Sequence, residues 1–252
     1  MKKTLMPDIL GHRMKFGVIA PSTNTIVQPE FGWMAPLGVT NHFSRIHIPD
    51  EPLASDADFE RLMVRIRAEL LQAVDRVMTA RPGAIIMGMS SETFWGGLEG
   101  SVDLKAKIGD RADGLPVAMG SDASQAALRR YGDIRKIGVI TPYMPIGDRE
   151  VIKFFSDCGF EVVAIEGLKC ESPTAIAHVD PKTLRDAVLK VNDPQVEAIL
   201  QVGTNLCFAQ IAPIAEFWLD KPVLAINTVT YWHALRMNGI EDKVHRFGSL
   251  LE

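Results

Sequence analysis

Two stretches decide the fold: KFGVIAPSTNT at residues 15–25 and KIGVITPYMPI at residues 136–146. Each runs from a lysine through a short apolar run containing one glycine to a proline and a turn. Short runs rich in Val and Ile that stop at a proline read as buried strands. The likeness extends well beyond these two. GVIAP from Gly17 pairs with GVITP from Gly138, and AIIMG from Ala84 pairs with AILQVG from Ala198. LPVAMGSDASQAALRRYG from Leu115 pairs with KPVLAINTVTYWHALRMNG from Lys221, each of the last two matches needing one insertion. Three matched segments in the same order are the mark of an internal duplication.

Between the strands lie helical patterns. DADFERLMVRIRAELLQAVDRVMTA is opened by Asp56 or Asp58 as a cap, DASQAALRRYG ends at Gly132, and DPKTLRDAVLKVN carries Pro181 in its first turn. Further helices are expected over PIGDREVIKFFSDCG, FAQIAPIAEFWLD and TYWHALRMNG, with a short one between the strands GAIIMG and LPVAMG, and further strands over NHFSRIHIP, FEVVAIEG and KPVLAIN. FWGGLEG reads as a flexible loop. Alternating strands and helices predict an α/β fold with parallel sheets. Two pseudo-symmetric parallel-sheet βα sub-domains are expected, over 1–120 and 121–252, with an active-site cleft between them and the final helix free to return to the first half.

The chain has 252 residues, enough for a sizeable core, with a net charge of -4 and no basic run. Nucleic acid and membrane surfaces are therefore not expected partners, and no apolar run is long enough to span a bilayer. The N-terminal MKKTLMPDILGHRMK lacks the apolar core of a signal peptide. The three cysteines, Cys158, Cys170 and Cys207, have no CxxC spacing, which argues against a disulfide framework and a zinc site. A cytoplasmic location follows. No phosphate-loop, dinucleotide-binding or HExxH motif is present, and neither a metal nor a cofactor is expected.

Ligands of open parallel sheets sit beyond the carboxyl ends of the strands. Two facing halves would bring four turns together: PSTNT from Pro21, GMSSET from Gly88, TPYMP from Thr141 and GTN from Gly203. They supply Ser22, Thr23, Asn24, Ser90, Ser91, Thr93, Tyr143, Thr204 and Asn205, with no Lys or Arg. A cleft of neutral donors suits a small carboxylate or an enolate made from it. Each Ser, Thr or Asn taken singly is also an ordinary cap or turn former. Glu92 is the one acid in the turns, readable as a general acid or base or as a first-turn helix acid; Glu30 carries the same two readings.

At these residues the chain resembles the aspartate/glutamate racemase superfamily. GVIAPSTNTIVQPEF is similar to the opening of the maleate cis-trans isomerases. GMSSETFWGG and TPYMPIGDREVIKFF resemble segments of arylmalonate decarboxylase, and PVLAINTVTYWHALRMNGI resembles the closing strand and helix. The resemblance implies two α/β halves, no cofactor, a small carboxylate substrate and a homodimer as candidate assembly. It gives Asn24 the role of substrate-binding asparagine and places Met89, by its backbone N–H, with Ser90 and Tyr143 around a carboxylate or enediolate. Thr204 and Asn205 add donors from the second half.

The superfamily's chemistry uses a cysteine in one or both halves, and the resemblance aligns those positions with Gly88 and Gly203. Cys207, expected in the first turn of a helix beginning near Leu206, is the candidate replacement, its thiol acidified by the helix N-terminus; its other reading is a small buried apolar residue. Cys158 and Cys170 are expected to be structural. The resemblance implies an isomerase first and an arylmalonate-type decarboxylase or related lyase second. A relative of the ectoine-breakdown proteins and a non-catalytic binder of small acids are the further alternatives.

Overall fold

The computed structural model describes residues 8–252; the first seven, where the stretch read as no signal peptide begins, lie outside the described residues. The first half runs β1 (Met14–Pro21), α1 (Val27–Met34), β2 (Val39–Ile46), α2 (Asp56–Met78), β3 (Ala84–Met87), α3 (Ser91–Phe94), α4 (Gly97–Arg111), β4 (Val117–Ala118) and α5 (Gly120–Arg130). The second runs β5 (Lys136–Thr141), α6 (Pro145–Asp157), β6 (Glu161–Gly167), a 3-10 turn at Ala175–His178, α7 (Pro181–Val191), β7 (Ala198–Gln201), α8 (Ile211–Leu219), β8 (Val223–Ala225) and α9 (Ile226–Met237).

The strands form two parallel four-stranded sheets, in the orders β2-β1-β3-β4 and β6-β5-β7-β8. The same order twice is the duplication expressed as topology. β1 and β5 are the central, buried strands that the two opening motifs predict. Their shared glycines have a shared cause. A Cβ on Gly17 would stand 3.1 Å from Val77 at the end of α2, and one on Gly138 would stand 2.7 Å from the Val191 carbonyl at the end of α7. Each half thus lays a helix end directly on its central strand. Lys15 reaches the same region, its Nζ donating to the Ala80 carbonyl at 3.0 Å.

α2 illustrates why these segments fold as they do. Ser55, rather than Asp56 or Asp58, caps it, accepting from the Asp58 amide at 3.3 Å, and Phe59, Met63, Ile66, Leu70, Val74 and Val77 form one buried stripe. Two elements depart from expectation. FWGGLEG is a turn only at Trp95 and Gly96: α4 starts at Gly97, and the short helix expected before LPVAMG runs 15 residues. α1 forms over VQPEFGWM, where Pro29 sits in the first turn and so removes no needed hydrogen bond.

The halves meet along an aromatic seam. Phe94 of α3 lies 5.0 Å from Phe154 and 5.7 Å from Phe155 of α6, centroid to centroid. Helix ends are capped across the same seam. Asp56 accepts from the Ile146 amide at the start of α6 at 3.0 Å and pairs with Arg149 at 2.9 Å. In return Glu150 and Asp157 of α6 accept from the Gly96 and Leu98 amides at the start of α4, at 2.8 and 3.0 Å. The last helix, α9, packs on α1, α5, β3 and β4 of the first half. Among the described residues no helix is long and apolar enough to cross a membrane.

Replacing Phe154 by Ala removes the ring that both Phe94 and Phe155 pack against. A loss of about 3–5 kcal/mol is expected, read as a lower urea midpoint in equilibrium unfolding.

Candidate active site

The four turns do meet at one cleft. Its lining includes Thr23 and Asn24 after β1, Met89, Ser90 and Ser91 after β3, Pro142, Tyr143 and Met144 after β5, and Gly203, Thr204 and Asn205 after β7. Ile48, Leu53, Phe59, Leu62, Ile66 and Ile176 form an apolar wall. The cavity is about 60 Å³, several times the ~10–15 Å³ that one water needs. No lining residue carries an acidic or basic side chain apart from the weakly acidic Cys170 and Tyr143.

Thr204 is the crossing point. Its hydroxyl accepts from Asn24 Nδ2 at 3.0 Å and donates to the Gly88 carbonyl at 3.2 Å. Its amide donates to Ser90 Oγ at 3.2 Å, and Ser90 Oγ in turn bonds the Tyr143 hydroxyl at 2.9 Å. Asn24, Ser90, Tyr143, Thr204 and Asn205 are all buried. Because Ser90 already accepts from Thr204, the Ser90–Tyr143 pair uses one hydroxyl proton internally and leaves the other for a ligand. Burial pushes the Tyr143 phenol well above its ordinary value, so it remains a neutral donor.

Asn24 does two jobs. Its Oδ1 accepts from the Ile26 and Val27 amides, both at 3.0 Å, which starts α1; its Nδ2 faces the other half. The side chain that holds the chain at the start of α1 is also a cleft residue. Asn205 clamps the halves, its Oδ1 accepting from the Thr25 amide at 3.0 Å and its Nδ2 donating to the Pro173 carbonyl at 3.0 Å. Pro173 belongs to the segment that roofs the cleft. That roof is tied down where Thr174 donates to Asp50 and where the Leu53 amide donates to the Glu171 carbonyl at 2.6 Å.

A second layer holds charged groups back from the cleft. Arg45 of β2 donates to the carbonyls of Pro21 and Asn24 at 3.1 and 2.9 Å, fixing the first turn from behind. Thr141 donates to Asp148 and accepts from the Tyr143 amide at 3.1 Å. Burial lifts the Asp148 carboxyl to about 6. Glu30 accepts from the Ala209 amide at 3.2 Å and from Asn227 Nδ2 at 2.6 Å, and burial lifts it to about 7.

Four expectations are corrected. Cys207 does not line the cleft: its side chain is exposed, and α8 begins only at Ile211, so no helix N-terminus acidifies it. Partial desolvation and the nearby Glu30 carboxylate push its thiol up. Glu92 also turns away, paired to Arg67 Nε at 2.6 Å, with burial raising its carboxyl and Arg67 opposing that rise. Ser22 is spent on the Ile48 backbone, donating to its carbonyl at 3.2 Å and accepting from its amide at 3.1 Å. Cys170, expected to be structural, lines the cleft, and burial raises its thiol to about 11. No local pattern marked it. The segment that carries it follows β6 and is held at the cleft by tertiary bonds, among them the one from its amide to the Pro142 carbonyl at 3.0 Å.

The two glycines at the aligned cysteine positions are held by shape. Gly203 has φ +116°, a conformation side chains rarely adopt, and a Cβ there would lie 2.5 Å from Pro142 Cδ. A Cβ on Gly88 would sit 3.1–3.3 Å from Val18, Ala20 and the Ile19 carbonyl, tight but less forbidding. Gly203→Ala and Gly203→Cys are each expected to cost more than about 1 kcal/mol, and Gly88→Ala less, on thermal unfolding of the three variants side by side.

Comparisons with known proteins agree with this architecture. Maleate isomerase from Alcaligenes faecalis is 23% identical over 94% of this chain and 96% of its own length. Maleate cis-trans isomerase from Nocardia farcinica, solved with a covalently bound succinylcysteine intermediate, superposes with a TM-score of 0.84 at 19% identity over 94% of this chain and 97% of that one. A liganded cysteine variant of arylmalonate decarboxylase superposes with a TM-score of 0.81 at 20% identity, over 94% and 98%. The structural likenesses establish the shared fold. The sequence model for arylmalonate decarboxylase matches residues 56–251, most of the length over which the two halves and their cleft are built, and the chain therefore belongs to the arylmalonate decarboxylase family.

Proposed function

We propose that the protein is a cytoplasmic, cofactor-independent enzyme acting on a small (di)carboxylate, isomerising it as the maleate isomerases do through a stabilised enolate or enediolate. The observation that carries this reading is a set of neutral donors at one cavity: the Ser90–Tyr143 pair keeps one hydroxyl proton and Asn24 Nδ2 one N–H for a ligand, while Thr204 and Asn205 from the second half hold them in place. Fixed neutral donors in a closed site stabilise developing negative charge without water's reorganisation. Three free cysteines suit a reducing compartment.

With glycine at 88 and 203, Cys170 is the thiol of the cleft. Its proton stays on sulfur at neutral pH, so the thiol adds as a whole. The S–H bond breaks, and a C–S and a C–H bond form across the substrate's C=C bond. The resulting single bond rotates, and elimination in the reverse sense restores the thiol and the isomerised alkene.

The protonated thiol also favours a second reading, decarboxylation of a substituted malonate. Here a C–C bond breaks and CO2 leaves, and the electron pair is held as an enediolate by the donors. Cys170 then protonates the α-carbon and recovers its proton from water. The apolar wall of Ile48, Leu53, Phe59, Leu62 and Ile66 gives the substituent a place.

Proton NMR in deuterated water separates the readings. The panel is maleate, phenylmalonate, aspartate, glutamate and hydroxy-diacids. Conversion of maleate to fumarate is the expected result; loss of carboxylate from phenylmalonate supports the second reading. Binding without turnover of any compound overturns both and leaves a small-acid binder. In an active protein, Tyr143→Phe is expected to lower kcat about 10²-fold, and Cys170→Ser to abolish turnover while compound-induced line broadening persists.

A further inference from the structure

Glu30 has no contact with the cavity, yet it is bonded into the turn that crosses it. Its Oε2 accepts from Asn227 Nδ2 at 2.6 Å, and the same Nδ2 donates to the Thr204 carbonyl at 2.9 Å. Its Oε1 accepts from the Ala209 amide at 3.2 Å, at the far end of the loop that begins with Gly203. One carboxyl on α1 therefore holds the 203–209 loop at both ends, with α9 as intermediary. The side chain is 1% exposed, and Asn227 and Thr204 are buried as well. Asn227 Oδ1, by contrast, is buried with no partner. The amide is oriented to spend both of its protons on Glu30 and Thr204 at the expense of its own oxygen, an arrangement that leaves an acceptor unsatisfied and needs a compensating bond.

We propose that Glu30 is a positioning residue for the cleft: through Asn227 it holds the Thr204 carbonyl, and its protonation state sets the geometry of the turn that presents Thr204 and Asn205. Both contacts on Glu30 come from N–H donors, so the ionised carboxylate is the form that the two bonds strengthen. Burial opposes ionisation and places the change near neutral pH. A carboxyl whose folded pKa is raised stabilises the fold most when protonated. That contribution is lost as pH rises from the ordinary carboxylate range through about 7. The ionised form thus gains the Asn227 bond while stability falls.

The other groups around it are few. The loop presents the Cys207 thiol, itself pushed up in part by Glu30. α9 presents the neutral Asn227 and, one turn on, Tyr231, whose ring packs on Phe31 at 4.9 Å. Arg45 of β2 is engaged with Gln28 and the carbonyls of the first turn.

The inference rests on the cleft being the substrate site, but its test needs no ligand. Amide and carboxyl NMR shifts of the whole protein are followed between about pH 5.5 and 8.5. In the wild type, the Glu30 carboxyl and the Thr204 amide are expected to move together with a midpoint of about 7. Glu30→Gln should abolish the Thr204 titration. Asn227→Ala should leave Glu30 titrating and Thr204 still, and this variant keeps the test alive if Glu30→Gln does not fold. A Thr204 amide that stays flat in the wild type, or that titrates unchanged in either variant, overturns the proposal. Titration of maleate into the wild type at pH 6 and 8 reports separately on the site. If maleate does not bind but Thr204 titrates, the coupling stands and the proposed function fails.

Discussion

Every polar atom of Thr204's backbone and hydroxyl is committed, and the cleft exists because of it. The hydroxyl takes a bond from Asn24 and gives one to the Gly88 carbonyl, the amide reaches Ser90, and the carbonyl receives Asn227. These partners come from the ends of β1 and β3 in one half and from α9, which returns across the seam. Two sheets that share a strand order could face each other in many ways; a buried four-way junction admits few of them, since any shift leaves a donor or acceptor unpaired in a dry interior. The aromatic contacts of Phe94 with Phe154 and Phe155 supply cohesion, while Thr204 supplies register.

The electrostatic plan follows from the same dryness. Charge is kept one layer back, where Arg45 holds carbonyls, Arg67 holds Glu92, and Asp148 and Glu30 sit on hydrogen-bond donors with raised affinities for their protons. Among the described residues the cavity is lined by neutral groups only. An anion placed in it would find no counter-ion to exchange with and no acid to repel it. The field it experiences comes from oriented O–H and N–H dipoles whose directions the fold has already fixed.

Much of this was legible in the sequence because it is written twice. Gly17 and Gly138 mark where helix ends lie on central strands, and the repeat exposes them without any coordinates. The four turns could be named for the same reason, since the strand ends carry them. What stayed hidden depends on directions that spacing does not encode. Glu92 sits in the right turn but points toward Arg67 on α2, and Ser22 folds onto Ile48. Cys170 is remote from every turn motif and reaches the cleft on a connecting segment, which no periodicity describes. The start of α4 reads as loop because glycine is a poor helix former, and its N-terminus is held by acids from α6 that only tertiary packing brings near.

The backbone at Gly203 also limits what mutation can reach. Some glycine and cysteine codons differ by a single base, so a thiol at this point of the cleft is within reach of one change in the gene. The left-handed turn against Pro142 sets a different limit. The loop has a shape that glycine fills, and a thiol would arrive in a space already occupied. Seating it would require Pro142 and the turn to move as well, so what the genetic code offers in one step the fold accepts only in several.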